Sequence, residues 1–224
     1  MAETKLTKDR PALGAAPDRC VLNAGSGGRA SRQLHPVFRR PNWTEVRIDI
    51  DPHAQPDHVG SFTDMSDSFA SAGFDAVWSS HAVEHLHAHE VPTAFAEFRR
   101  VLKDDGFVLI RCPDIEIAAE LLVQHGPDHI AYMSPAGPIT PLDMLFGHAA
   151  SIARGRIHMA HRTGFTCSSL AKLLLDAGFA TVIAKREYFD LWALALMPDA
   201  NAANIQRELA DAGLDLNDAE DDVP

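Results

Sequence analysis

The chain contains few cysteines: only Cys20, Cys112 and Cys167 occur among its 224 residues. They are odd in number and widely separated, and no pair has C-x-x-C spacing. Neither a disulfide framework nor a thiolate zinc site is therefore indicated. This cysteine usage suits a reducing compartment, and we expect a cytoplasmic protein.

Positive charge and long hydrophobic runs are also scarce. Lys and Arg number 20 against 31 Asp and Glu, which leaves a formal net charge of −11. A protein that follows nucleic-acid phosphates needs a basic face, so we expect no nucleic-acid partner. No run approaches the roughly 18 apolar residues of a membrane span, and residues 1–17 lack the apolar core of a signal peptide. We therefore expect neither export nor a membrane partner.

The hydrophobic content is sufficient for one core, at 46% of the residues. We predict a flexible leader at residues 1–17, one domain over residues 18–198 with an insertion at about 114–163, and a C-terminal extension at 199–224. The extension ends in an acidic tail from Asp211 onward. We expect this tail to fray into solvent.

Apolar runs separated by turn residues predict alternating strands and helices. The predicted strands are Arg19–Asn23, Thr44–Asp51, Phe74–Ser80, Gly106–Cys112, Ala180–Glu187 and Asp190–Met197. The predicted helices are a short one that ends before Pro36, one at Pro92–Leu102, one at Ile115–Gln124 and one that Thr166 caps. The last two strands are joined by a tight connection and predict an antiparallel hairpin.

The stretch from Val21 to Gly28 is an apolar run that breaks into closely spaced glycines. Glycines allow a tight turn and a close approach of the backbone to a nucleotide-type ligand. Asp49 lies 24 positions after Gly25, close to the interval of about 20 residues at which an acidic side chain meets a ribose in dinucleotide folds. We interpret this stretch as a cofactor loop.

Over about residues 19–197 the chain resembles the class I S-adenosylmethionine-dependent methyltransferases, in particular the type 11 branch. Five segments carry the resemblance, in the order typical of that family: Val21–Gly27, Ile48–Pro52, Phe74–Val77, Glu84–Leu86 and Arg99–Phe107. The resemblance implies a three-layer, Rossmann-like α/β fold. Its seven-stranded sheet would be mostly parallel, with a C-terminal antiparallel hairpin.

The resemblance also implies S-adenosylmethionine as cofactor and S-adenosylhomocysteine as product. The positions that would contact the cofactor are Asn23, Ala24, Gly25, Ser26, Gly27, Asp49, Ile50, Ser61, Phe62, Asp64 and Ser79. Asp49 would receive the ribose hydroxyls. Asn23 and Ser61 stand where the family more often has acidic residues, and Arg29 stands where a glycine is common; Asp64 is a candidate replacement for the carboxylate missing at Ser61.

The implied function is transfer of a methyl group to a small-molecule acceptor by in-line displacement. Two alternatives stay open. The segment Gly25–Ala30 also satisfies G-x-G-x-x-A, which fits an NAD-dependent oxidoreductase. The departures at Asn23 and Ser61 would fit a non-catalytic scaffold of the same fold. The sequence determines neither the acceptor nor the oligomeric state.

For methyl transfer, the protein mainly has to hold the nucleophile close to the methyl group and exclude water. A base helps if the acceptor is a hydroxyl. His81 follows a predicted strand at the edge where ligands collect, so it is the first candidate for a base or substrate contact. The other interpretation is that His81 only bonds the following helix. Glu84 and His85 are further catalytic candidates, with orientation of the glycine loop as the structural alternative.

The insertion at residues 114–163 is rich in Pro, Gly, His and Met and is too long for an ordinary connection, so we interpret it as a lid. Its basic residues would hold an anionic acceptor, and solvated loop charge is the alternative. The candidate substrate residues are His148, Arg156, His158 and His161. The spacing of His81, His85, His87 and His89 suggests a metal, but the sequence identifies no third ligand, and we predict no metal site.

Overall fold

The computed structural model describes residues 19–29 and 34–216. The strands are β1 (Arg19–Ala24), β2 (Trp43–Asp49), β3 (His58–Val59), β4 (Phe74–Ser80), β5 (Leu102–Pro113), β6 (Tyr132–Ser134), β7 (Gly137–Ile139), β8 (Thr181–Glu187) and β9 (Asp190–Leu196). The helices are α1 (Val91–Val101), α2 (Ile115–His125), α3 (Pro141–Phe146), α4 (Ala149–Ala153), α5 (Cys167–Asp176) and α6 (Ala202–Ala210). The predicted leader, most of the helix predicted before Pro36 and the end of the acidic tail lie outside the described residues.

Seven strands form one sheet in the order β3-β2-β1-β4-β5-β9-β8. The pairs from β3 to β5 are parallel, whereas β9 is antiparallel to both of its neighbours. This arrangement confirms the predicted α/β fold, including the terminal hairpin. A separate two-stranded ribbon, β6 with β7, belongs to the insertion.

The carboxyl ends of the parallel strands meet at one side of the sheet, which we call the carboxyl edge. Ala24 ends β1, Asp49 ends β2 and Ser80 ends β4 at this edge. Because β9 runs in the opposite direction, its first residue, Asp190, pairs with Pro113 at the end of β5. The start of β9 therefore joins the carboxyl edge as well.

Helical periodicity explains why α1 and α5 cover one face of the sheet. On α1, the buried positions Val91, Phe95 and Phe98 recur at intervals of three and four. α5 begins with a reciprocal capping box between Thr166 and Ser169, so its first turn is satisfied locally. These apolar faces join the larger core cluster together with the inward side chains of the strands.

The opposite face of the sheet is rich in aromatic side chains, among them Trp43, Trp78 and Trp192. α6 packs there, and so do the buried Leu214 and Leu216. The expectation that the tail frays from Asp211 onward is therefore wrong as far as residue 216, because two apolar side chains anchor this segment on the sheet.

The insertion has secondary structure of its own. α2, the β6–β7 ribbon and α3 surround a small core that includes Ala118, Ile139 and Met144. Asp114 caps α2 and forms an ion pair with Arg186 of β8, which ties the start of the insertion to the sheet. Across the described parts of the chain, no helix is long and apolar enough to cross a membrane.

Candidate functional site

The glycine loop follows β1 at the carboxyl edge. The backbone N–H groups of Gly25 and Ser26 both donate to the Ile48 carbonyl, at 2.9 and 3.2 Å. Gly25 has a φ of +72°, and a Cβ built on it would collide with the Cβ of Ala82. Gly25 is therefore required both by its left-handed conformation and by its close approach to the segment after β4.

Asp49 holds this loop through its carboxylate. One oxygen accepts the Gly27 N–H at 2.8 Å, and the other accepts the Asp51 N–H at 2.9 Å. Each carboxylate oxygen retains a second lone pair, so Asp49 can still accept bonds from ribose hydroxyls. The next residue, Ile50, is 57% exposed, which leaves an apolar surface beside these acceptors.

Arg47 is a support for the loop that the sequence analysis missed. Its side chain is only 4% exposed, and its guanidinium donates to the carbonyls of Gly27, Ala54 and Gln55. In the sequence, Arg47 reads as an ordinary polar position of an alternating strand. Only the fold shows that it links the glycine loop to the turn after β2.

The side chain of Asn23 is paired with an acid from the neighbouring strand. Asn23 is buried, and its Nδ2 donates to Glu45 Oε1 at 2.6 Å. The family more often has a carboxylate at the end of β1. Here the carboxylate of Glu45, on β2, is in contact with Asn23 instead. Ala24, which follows, is fully buried and separates this pair from the loop.

The three candidates after β3 have different surroundings. Phe62 is buried, and its Cε1 lies 3.5 Å from the position that a Cβ on Gly25 would occupy. Ser61 hydrogen-bonds within its own turn. Asp64 is exposed and accepts the Ser66 hydroxyl at 2.8 Å. Phe62 thus lies beside the glycine loop. The hydrogen bonds of Ser61 and Asp64 given above do not involve that loop.

Ser79 supplies an unpaired polar atom at the end of β4. Its side chain is 0% exposed, and its Oγ has no hydrogen-bond partner among the described residues. A buried polar atom without a partner is rare and indicates a missing ligand or water. The hydroxyl of Ser79, the open lone pairs of Asp49 and the exposed side chain of Ile50 match, in chemical kind, the polar and apolar parts of S-adenosylmethionine.

A second polar cluster surrounds His81, directly after β4. His81 has a φ of +49°, and its N–H donates to the Arg111 carbonyl at 2.8 Å. Its Nδ1 lies 3.5 Å from a Glu84 oxygen and its Nε2 lies 3.6 Å from an Asp190 oxygen. Burial lowers the pKa of His81, but the two carboxylates outweigh it, so the pKa is raised above its ordinary value.

Asp190 and Arg111 were not identified from the sequence. Arg111 Nη2 lies 2.5 Å from an Asp190 oxygen. Asp190 is therefore paired with Arg111 as well as with His81. The available signal was topological: the first residue of an antiparallel last strand lies at the carboxyl edge. Sequence spacing alone does not show this, because about eighty residues separate Arg111 from Asp190.

Glu84 lies among three imidazoles, those of His81, His85 and His161. It is only 1% exposed, and within the described chain neither of its carboxylate oxygens has a hydrogen-bond partner. Burial raises the pKa of Glu84, but the nearby histidines outweigh that effect, so the pKa is lowered. Burial also lowers the pKa of His161. The structure thus brings the three catalytic candidates together with one of the substrate candidates.

Three contacts place the end of the insertion at the carboxyl edge. The N–H groups of Arg162 and Thr163 donate to the Glu84 carbonyl, at 2.9 and 3.2 Å. His158 Nε2 lies 3.8 Å from an Asp51 oxygen. Residues 158–163 therefore extend from the end of β2 to the turn after β4.

The other two substrate candidates lie apart from these contacts. His148 Nδ1 bonds the Ser151 hydroxyl at 2.8 Å, within the insertion itself. Arg156 is exposed. Their predicted contact with an anionic acceptor stays a prediction.

An aromatic pair borders the His81 cluster. The ring of Tyr132 stacks on Phe189, with centroids 5.0 Å apart and planes inclined by 19°. Burial and the charge of Asp190 raise the pKa of Tyr132. This half-exposed pair offers a flat apolar wall beside the polar groups.

Residues 22–110, from β1 into β5, match the family model described as "Methyltransferase domain". With the fold, this match supports assignment of the chain to the class I S-adenosylmethionine-dependent methyltransferases of type 11. S-adenosylmethionine is the methyl donor of this family. No curated protein matches the chain.

Several solved structures share the fold at low identity. The trans-methyltransferase CalH, in complex with S-adenosylhomocysteine, is 15% identical to this chain. The match covers 81% of this chain and 52% of the CalH chain, with a TM-score of 0.53. The CurJ carbon methyltransferase is 12% identical, with coverages of 83% and 50% and a TM-score of 0.54. An S-adenosylmethionine-dependent methyltransferase from Archaeoglobus fulgidus is 15% identical, with coverages of 80% and 86% and a TM-score of 0.51. The chain thus spans about half the length of the first two.

Proposed function

We propose that the protein transfers a methyl group from S-adenosylmethionine to a small-molecule acceptor by in-line displacement. When bound, this cofactor supplies a methyl group on a positively charged sulfur. The observation that carries the proposal is the adjacency of two sites at the end of β4. Ser79 offers a buried hydroxyl that has no hydrogen-bond partner among the described residues, and His81, two residues later, begins the polar cluster.

The contacts of the chain fall into two groups: some hold the glycine loop, and others cover the carboxyl edge. Asp49 and Arg47 fix the glycine loop from both sides, so the loop is organised before a ligand binds. Residues 158–163 lie across the carboxyl edge through their contacts with Asp51 and Glu84. A covered edge excludes water, which is the main requirement for a displacement of this kind.

His81 fits the role of a base toward a hydroxyl acceptor. In its neutral form the imidazole can take the proton that the acceptor loses. The Asp190 and Glu84 carboxylates, at 3.6 and 3.5 Å, stabilise the imidazolium that results. Because Tyr132 and Phe189 form a flat wall nearby, the geometry favours a planar acceptor that carries a hydroxyl group.

Calorimetric titration with S-adenosylhomocysteine and with NAD tests the cofactor assignment. We expect binding of the thioether and no heat with NAD. Asp49→Ala should weaken thioether binding by about tenfold or more, because it removes a charged acceptor. Asp104→Ala, at the start of β5 on the opposite edge, is the matched control. NAD binding without a response to the thioether, or equal affinity of both variants, would contradict the assignment.

The same titration separates His81 from the cofactor contacts. We expect His81→Gln to keep its affinity for S-adenosylhomocysteine within a few-fold, while methyl transfer to a panel of phenolic acceptors falls by about 10²-fold or more. Transfer of a radiolabelled methyl group measures this. Loss of thioether affinity with unchanged turnover would refute the assignment of His81 as base.

A further inference from the structure

We propose that Glu84, His85 and His161 form a binding site for a divalent first-row transition-metal ion such as Zn²⁺. One carboxylate oxygen and one nitrogen of each imidazole all lie within 4.8 Å of one another. Two imidazoles and one carboxylate are the protein ligands of many catalytic zinc and non-haem iron sites, where further coordination positions stay open.

The hydrogen bonds of the two histidines are those expected of metal ligands. His85 Nδ1 bonds the Ala160 carbonyl at 3.1 Å, and His161 Nδ1 bonds the Met144 carbonyl at 2.9 Å. A carbonyl oxygen only accepts, so Nδ1 carries the hydrogen in both rings and Nε2 keeps its lone pair. A backbone carbonyl behind the non-ligating nitrogen is the usual support of a metal-bound histidine.

The carboxylate of Glu84 supplies the independent observation. It is almost fully buried, and in the described part of the chain neither oxygen accepts a hydrogen bond. Burial of a carboxylate without a partner is costly. His81 is one neighbour, at 3.5 Å, but its Nδ1 faces only one of the two oxygens. A cation between Glu84, His85 and His161 would satisfy the carboxylate.

Backbone contacts fix the third ligand, which comes from a distant part of the sequence. The 3-10 turn Val83–His85 places Glu84 and His85 at adjacent positions. The N–H of His161 donates to the Phe146 carbonyl at 3.1 Å, and the next two N–H groups donate to the Glu84 carbonyl. A metal at this point would join the insertion to the sheet.

The neighbourhood suggests what such an ion would do. It would lie beside His81 and would have open positions for an oxygen ligand. If the proposed methyl transfer holds, an acceptor with an anionic oxygen could bind the ion and be oriented by it. The metal site itself does not depend on that function, and its test needs no methyl donor.

Two other histidine pairs are alternative places at which a metal ion could bind without Glu84. His87 and His89 stack with centroids 5.7 Å apart, and His125 and His129 stack at 4.5 Å. Both pairs bring imidazoles together without a buried carboxylate. They therefore provide the controls, because a metal held by such a pair would be insensitive to Glu84 and His161.

The test is titration of the chelator-treated full chain with Co²⁺ and with Zn²⁺, followed by visible absorption and calorimetry. We expect one ion per chain and the d–d absorption of a low-coordinate Co²⁺ site. His161→Gln, His85→Gln and Glu84→Gln should each weaken binding by about tenfold or more. The double variants His87→Gln/His89→Gln and His125→Gln/His129→Gln should bind like the unmodified protein.

Circular dichroism and thermal unfolding identify variants that fail to fold. If Glu84→Gln does not fold, His161→Gln carries the test, because its main-chain contacts with Phe146 and Glu84 remain. The proposal is overturned if the unmodified chain binds no ion, if His161→Gln binds as tightly as the unmodified chain, or if only the double variants lose the ion.

Discussion

Two glycines of the cofactor loop face different surroundings although they lie three positions apart. Gly25 is in the left-handed region, and its missing Cβ leaves room for Ala82. Gly28 has no heavy atom within 4 Å of its hypothetical Cβ. The sequence pattern shows both as equivalent glycines, whereas the fold requires only one of them.

Gly25→Ala should destabilise the protein by roughly 1–3 kcal/mol, because alanine is strained at positive φ and its methyl group meets Ala82. Displacement of the loop should also weaken S-adenosylhomocysteine binding. Urea unfolding and calorimetry measure the two effects. Gly28→Ala is the matched control and should change neither quantity. Equal behaviour of the two variants would show that the loop is not held as described.

At the scale of elements, the 3-10 turn Pro36–Arg39 depends on a buried histidine. His35 Nδ1 accepts the Val37 N–H at 3.3 Å and so caps this turn. The residue is 6% exposed, and its ring packs against Trp78 and Trp192. Burial, and then the charges of nearby arginines, lower the pKa of His35 to about 4.

The stability of the protein should therefore decrease as the pH is lowered, in a window set by the pKa of His35. Between pH 6.5, the ordinary pKa, and about 4 the unfolded chain binds a proton that the folded chain does not. The free energy of unfolding should decrease by about 3 kcal/mol as the pH falls through this window, and should be fully recovered above it.

Urea unfolding at a series of pH values, with His35→Asn beside the unmodified chain, measures this term. The asparagine oxygen can still accept the Val37 N–H but does not titrate, so the variant should lose that part of the pH dependence. Identical slopes in both proteins would show that His35 is not the group responsible.

At the scale of the whole molecule, the insertion and the sheet share one functional edge. The insertion has a small core of its own and contacts the carboxyl edge near Asp51 and Glu84. A segment that buries little apolar surface opens more readily than the main core. An insertion of this kind can admit an acceptor and then cover it.

Hydrogen exchange should show this behaviour. We expect residues 125–160 to gain protection when S-adenosylhomocysteine and an acceptor bind, because the ligands fill the space beneath them. α1, whose inner face lies in the larger core, should exchange at the same rate with and without ligands. Equal protection of residues 125–160 in both states would contradict the interpretation of the insertion as a lid.

Much of the architecture could be read from local patterns. The bounds of β4 agree with the prediction, as does the Thr166 cap of α5. The seven-stranded, mostly parallel sheet with its antiparallel hairpin followed from the resemblance, whereas the order of the strands came only from the structure. α6 and the buried Leu214 escaped prediction, because acidic residues mask the apolar positions near the end of the chain.

The sequence by itself determined the main strands of the sheet, the helices α1, α2 and α5 and the glycine loop, because helical and strand periodicity, caps and glycines act over a few residues. Only the tertiary structure decided what surrounds Glu84. His161 arrives there through hydrogen bonds of the insertion, and Asp190 reaches His81 because β9 runs antiparallel. These residues are brought together by the order and direction of the strands and by the path of the insertion. Neither can be deduced from the spacing of residues in the sequence.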